Sequence, residues 1–172
     1  MTDLVNSVRI AVDPRCLVLK LRKQGCRVSL AGVPAAHLII DFDKTGAPLP
    51  VSSSRCDYLF IADAGHHFGW VAPLELMKGR LDARKVVRQL QQGARVAERL
   101  ISRTEPIMFR PVAVTGGSTS KAERYELKQR KSIRLHGCKE AVRLLKCGAQ
   151  LIATFAHQQP VRTNKGKDPE PG

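Results

Sequence analysis

Apolar positions along the chain change their spacing several times, and each change marks an expected element. Residues 8–12 and 17–21 are short apolar segments divided by Asp13 and Pro14, the first compatible with a helix end or a strand. Residues 28–30 and 37–42 read as strand material, the second carrying Asp41 with Asp43 just beyond it. Lys44, Thr45, Gly46, Ala47 and Pro48 predict a turn, because Gly and Pro favour dihedrals that end regular structure. Residues 56–62 form a β-type run, 63–69 a glycine-flanked loop and 70–77 a second extended run. Two strands joined by a short glycine-rich loop predict an antiparallel hairpin.

The period then becomes helical. Val86, Val87, Leu90, Ala94, Ala97, Leu100 and Ile101 recur mostly at spacings of three and four, which predicts an amphipathic helix from an Asp82 N-cap to about residue 102, ending before Pro106. Residues 109–115 predict a strand closed by Gly116, Gly117 and Ser118. Strand, helix and strand in that order imply a right-handed crossover, with the last strand parallel to an earlier one. Residues 121–128 predict a short helix, and 132–135 with 141–145 the arms of a C-terminal hairpin around His136, Gly137, Cys138 and Lys139. From Gln158 onward the chain is polar and rich in Pro, Gly and Lys, a composition expected to stay disordered. The expected organisation is one domain over 1–157 and a tail over 158–172.

Composition adds little to this picture until charge is considered. The 172 residues suit one domain, and 43% hydrophobic content with only 5% aromatic supplies a core of Leu, Val, Ile and Ala. The net charge is +14, and residues 106–172 hold 13 basic against 5 acidic side chains, more than half of the excess. Such a concentration makes a polyanion an attractive partner, nucleic acid above all. A basic protein with no specific partner is the plainer alternative. Lys121, Arg124, Lys128, Arg130, Lys131, Arg134 and Lys139 crowd one segment with few aromatics, which favours phosphate-backbone contact over base stacking. Arg84 and Arg88 continue the basic series along the predicted helix with Arg80, Lys85, Arg95 and Arg99, several of them on its wet face.

Other classes find less support. No run approaches the roughly 18 apolar residues of a membrane span, and no signal-peptide pattern opens the chain. The cysteines at 16, 26, 56, 138 and 147 are odd in number and show no CxxC spacing. They read as reduced and mostly buried in a cytoplasmic protein. His66 and His67 are adjacent and have no cysteine at zinc-ligand spacing, so they read as a solvated turn. Gly116, Gly117, Ser118 and Thr119 could offer amides to a phosphate, but the Lys-Ser/Thr ending of an ATP-binding loop is missing.

The candidate chemistry lies in the central hairpin, with Asp57 on its first strand and Glu75 on its second. Two carboxylates on neighbouring strands repel at low dielectric unless a divalent cation or a proton sits between them. Mg²⁺, or Mn²⁺ in its place, suits such a pair, since Mg²⁺ takes one or two carboxylates together with waters and phosphate oxygens. Its task would be to activate water and neutralise charge on a scissile phosphate. Lys78 could orient that water or stabilise the pentavalent state. Plainer readings make Asp57 a strand-edge acid bonded to a loop amide and Lys78 a solvated strand end. Glu75, set among the apolar residues 71–77, needs a partner if it is buried.

The order of a strand, a strand with Asp57, a strand with Glu75, a long helix and a further strand resembles the restriction-endonuclease-like, or PD-(D/E)xK, nuclease superfamily over about residues 36–116. The resemblance implies an α/β fold whose central mixed sheet holds a hairpin, a long crossover helix and a following parallel strand. It also implies Asp57 and Glu75 as metal ligands and Lys78 as their catalytic partner. The superfamily pattern sets the lysine two residues after the acid; here that position is Met77, and Lys78 lies three residues on. Strict alternation sends Glu75 and Lys78 to opposite faces, unless a bulge before Gly79 re-aims the amine.

Gln89 resembles the helix glutamine that some members point toward the site, although a polar helix face explains it equally. Asp63, in phase with Asp57, is a candidate substitute ligand, and Asp41 and Asp43 are further acids nearby. The expected function is Mg²⁺-dependent cleavage of DNA, or that of a nuclease-derived protein. Two alternatives stand beside it: a catalytically inactive nucleic-acid-binding module of a defence or repair assembly, and an RNA-associated structural protein. Protein partners and a homodimer stay open.

Overall fold

The computed structural model describes residues 3–48, 54–65, 67–129 and 133–156. Arg130, Lys131, His66 and the tail expected from residue 158 lie outside them. In chain order the elements are α1 (Leu4–Ala11), β1 (Leu17–Val18), β2 (Leu21–Lys23), β3 (Cys26–Val28), β4 (His37–Asp41), β5 (Tyr58–Asp63), β6 (Gly69–Met77), α2 (Ala83–Leu100), β7 (Ile107–Phe109), β8 (Val112–Thr115), α3 (Lys121–Gln129), β9 (Ile133–Leu135), β10 (Cys138–Glu140) and β11 (Arg143–Lys146).

The fold is α/β around a mixed central sheet ordered β1, β4, β5, β6, β8, β11, with β7 also paired to β6. Strands β4, β5 and β6 run antiparallel, whereas β8 joins β6 in parallel after the α2 crossover and β11 joins β8 in parallel. Period-two alternation sorts the side chains into two cores. Leu59 and Ile61 of β5, with Val71 of β6, face α1 and α2; Phe60, Ala62, Ala72, Leu74 and Leu76 face the small β2–β3 hairpin. Asp82 caps α2 by accepting from Lys85 N, as its sequence predicts.

Three expectations need correction. The strand expected over 109–115 is divided at Arg110 and Pro111 into β7 and β8. Arg110 is 2% exposed, donates to the carbonyls of Thr154 and Phe109, and pairs with Glu140, so its buried side chain belongs to the interior rather than to a strand face. The C-terminal hairpin exists but is tighter than its pattern suggests: β9 pairs with β10 across a turn at His136 and Gly137, both at positive φ, while β11 goes to the main sheet. Finally, Cys26 and Cys147 form a disulfide, leaving Cys16, Cys56 and Cys138 free. Their 121-residue separation hid the pairing, and backbone bonds from Gly148 N to Arg27 O and from Ser29 N to Ala149 O bring the two segments together.

Candidate active site

Asp57 stands immediately before β5 and Glu75 sits near the end of β6, on the sheet face that carries α2. They are among the few buried polar residues, with 4% and 7% exposure. The backbone N–H of Leu76 donates to Asp57 Oδ2 at 2.8 Å, which fixes the two acids as neighbours. Gln89 reaches down from α2, and its Nε2 donates to Glu75 Oε1 at 3.0 Å and to Arg55 O at 3.1 Å. The close approach of α2 depends on Gly93, one turn beyond Gln89 on the same helix face. A Cβ there would lie 2.5 Å from Cys56 Sγ and 2.8 Å from Pro73 Cβ.

The lysine of the site comes from elsewhere in the chain. Lys23 ends β2, and its Nζ donates to Asp57 Oδ1 in a short ion pair and to Asp43 Oδ2 at 2.9 Å. Arg55 pairs with the other oxygen of Asp43 at 3.2 Å. The β2–β3 turn that presents Lys23 holds Gln24 and Gly25 at positive φ. Tyr58 Oη donates to Arg22 O at 2.5 Å and so anchors the strand beside Lys23. Lys78, by contrast, lies past the end of β6 and is exposed at the rim; among the described residues it makes no ion pair. Met77 pairs with Thr115 and accepts from Gly116 N, so the chain leaves the sheet there instead of forming the bulge that would re-aim Lys78.

These groups line one open depression of about 750 Å³, with Lys23, Asp43, Asp57, Glu75, Lys85 and Gln89 on its walls and Lys78 and Arg80 beside them. Burial raises Asp57 above its ordinary carboxylate value, against the opposing pull of Lys23 and the Leu76 amide. Burial, reinforced by the charge of Asp57, pushes Glu75 up to about 8 against Lys23, Gln89 and Lys85. Burial also pulls Lys23 down, but its two carboxylate partners outweigh that and hold its ammonium charged.

The chain matches no family model, no curated protein and no solved structure.

Glu75 Oε2 and Gln89 Oε1 are buried without a hydrogen-bond partner among the described residues. Two adjacent carboxylates lining an open depression, one with a buried oxygen that has no hydrogen-bond partner among the described residues, are a donor set that suits a hard divalent cation completed by water and phosphate oxygens. Among the described residues no set of three His, Cys, Asp or Glu side chains could hold a metal by itself.

The remaining expected residues are distributed as follows. Asp63 is at the opposite end of β5, roughly 20 Å away at strand spacing. Both its oxygens accept from Leu4 N and Val5 N at the start of α1, so it serves that helix and not the depression. Arg84 and Arg88 are exposed on α2, Lys121, Arg124 and Lys128 on α3, and Arg134 on β9. Gln91 of α2 bonds both backbone groups of Arg134, while Arg84 meets Lys121 at a surface hollow. The stripe 84, 88, 91 of α2 therefore brings Lys121 of α3 and Arg134 of β9 beside its own arginines. The amides of Gly116 and Gly117 are taken by Met77 O and Thr115 Oγ1, so those two are not open to a phosphate. Lys23 and Arg110 went unrecognised in the sequence. The Gln24–Gly25 turn between two short β-runs is the one signal that could have pointed to Lys23.

Proposed function

We propose that the protein is a metal-dependent phosphodiester hydrolase acting on DNA, in keeping with the resemblance of its element order to the restriction-endonuclease-like superfamily. The observation that carries this reading is the convergence of Asp57, Glu75, Lys23 and Gln89 in one depression edged by basic side chains. Asp57 and Glu75 would hold Mg²⁺ or Mn²⁺, which when bound supplies an activated water and neutralises phosphate charge. Lys23 places a fixed ammonium beside the acids, where negative charge develops on a scissile phosphate in the transition state. It thus takes the task that the resemblance gives to Lys78. Gln89 orients Glu75 by donating to Oε1 and leaves the buried Oε2 without a partner among the described residues, and the raised carboxyl can carry a proton at neutral pH. Burial of Asp57 and Glu75 strengthens the charge interactions between these groups.

Purified protein incubated with supercoiled plasmid and Mg²⁺ or Mn²⁺ tests the reading. Nicking or linearisation is expected, with a loss of about 100-fold or more in Asp57→Ala, Glu75→Ala and Lys23→Met. Lys78→Met should retain activity. No cleavage with either metal, or cleavage unchanged in Glu75→Ala, overturns it.

One observation favours the second reading, a nucleic-acid-binding module that does not cut. The Lys23 ammonium already neutralises Asp57 and Asp43, and a cation would compete with it. That reading expects salt-sensitive DNA binding, unchanged in Glu75→Ala, without product under any metal. Among the described residues no helix is long and apolar enough to cross a membrane. The Cys26–Cys147 disulfide removes the cysteine argument for a reducing, cytoplasmic compartment.

A further inference from the structure

An exposed tyrosine is unremarkable by itself, since much of any protein surface is apolar. Tyr125 of α3 is 68% exposed, and its surroundings set it apart. Lys121 precedes it by one helical turn and so shares its face. Arg84 enters from α2, and together with Ala122 and Glu126 these residues enclose a surface hollow of about 590 Å³. Glu126 is its one acid, against Arg84 and Lys121 inside and the exposed Arg124 and Lys128 on the same helix. Leu127, fully buried, anchors α3 in the core and gives the tyrosine a rigid base.

The hollow adjoins the acid pair through two short connections. Asp82 and Lys85 in the first turn of α2 line the depression, while Arg84 between them in sequence lines the hollow. The loop leading into α3 is seated against the rim of the depression: a Cβ on Gly116 would lie 2.9 Å from Lys78 O, and one on Gly117 2.7 Å from Gly79 O. Basic side chains thus continue from Lys78 and Arg80 at the depression to Arg84 and Lys121 at the hollow, which Tyr125 also lines.

A basic track interrupted by an exposed aromatic ring is the arrangement that holds unpaired bases, because the ring offers a flat apolar face and the cations take the flanking phosphates. A continuous duplex keeps its bases stacked on one another and gives such a ring nothing to cover. We propose that Tyr125 is a stacking platform for an unpaired base, with Arg84 and Lys121 holding the adjoining phosphates. The substrate class of the Asp57/Glu75 site is then DNA with a single-stranded segment. This rests on the nucleic-acid reading above and narrows it.

Fluorescence anisotropy with a labelled oligodeoxythymidylate and a blunt duplex of equal length, in EDTA so that cleavage plays no part, tests the proposal. Tyr125→Ala is expected to weaken single-strand binding roughly 10-fold and leave duplex binding unchanged, and Tyr125→Trp to restore it. Arg84→Ala with Lys121→Ala should weaken both probes and flatten the salt dependence by about two phosphate contacts. Single-strand affinity unchanged in Tyr125→Ala, or an equal loss on both probes, overturns the platform while leaving the nucleic-acid reading intact. Wild-type protein that binds neither probe overturns both.

Discussion

Glu75 is the residue on which the proposed chemistry and the stability of the protein meet. Its carboxyl is pushed up to about 8 by burial and by Asp57, whereas an unfolded chain leaves it near the ordinary glutamate value of 4.5. Between those two pH values the folded state binds a proton that the unfolded state has released. Stability contributed at Glu75 is therefore present at low pH and falls as pH rises through that window. Asp57, also raised, acts in the same direction. Glu75→Gln removes the titration while keeping an acceptor for Gln89. In metal-free buffer the variant should be more stable than wild type at pH 9 by an order of a few kcal/mol, with little difference at pH 5. Urea denaturation at the two pH values checks this, and a gain equal at both would contradict it. Asp57 and Glu75 stood out in the sequence as acids set in short apolar runs, and Gln89 through its place on the periodic helix. Lys23 was not, since its ion pair to Asp57 spans 34 residues and nothing local marks it.

The decisive element is α2, which carries Lys85, Gln89 and Gly93 on the stripe that faces the acids. Its amphipathic spacing and Asp82 cap announce it in the sequence, but not the closeness of its packing on β6. Gly93→Ala would gain helix propensity of about 1 kcal/mol. The new methyl meets Cys56 Sγ and Pro73 in a close-packed interior, where overpacking costs about 1–3 kcal/mol. Net destabilisation and a looser Gln89–Glu75 contact are expected. Cys56→Ala combined with Gly93→Ala should recover part of the loss, and a double-mutant cycle by chemical denaturation measures the coupling. Strict additivity would show that the helix does not lean on Cys56.

Over the whole molecule, two distant segments are joined by Cys26 and Cys147, and the hairpin they secure is the one that holds Lys23. A thiol titration of the denatured, unreduced chain should count three free cysteines, and five after reduction. Breaking the bond with Cys147→Ser is expected to lower stability by about 2–4 kcal/mol. Five thiols without reductant would remove the bond from the description. The basic excess belongs to this scale as well. Its concentration in residues 106–172 can be counted in the chain, but its placement depends on α3 and β9 lying against the stripe of α2 that bears Arg84 and Arg88.

By itself the sequence determined the elements whose periodicity is local: the β5–β6 hairpin, the capped helix α2, the parallel strand that follows it, and the two acids set in apolar runs. Tertiary structure alone decided which lysine meets those acids, that Asp63 accepts from the first amides of α1, that Cys26 finds Cys147, and that Arg84 of α2 joins Lys121 beside Tyr125. The division has a physical cause. Periodicity and capping act between residues one or two turns apart, whereas ion pairs, disulfides and surface tracks join residues that only the folding of the chain brings within a few ångströms of one another.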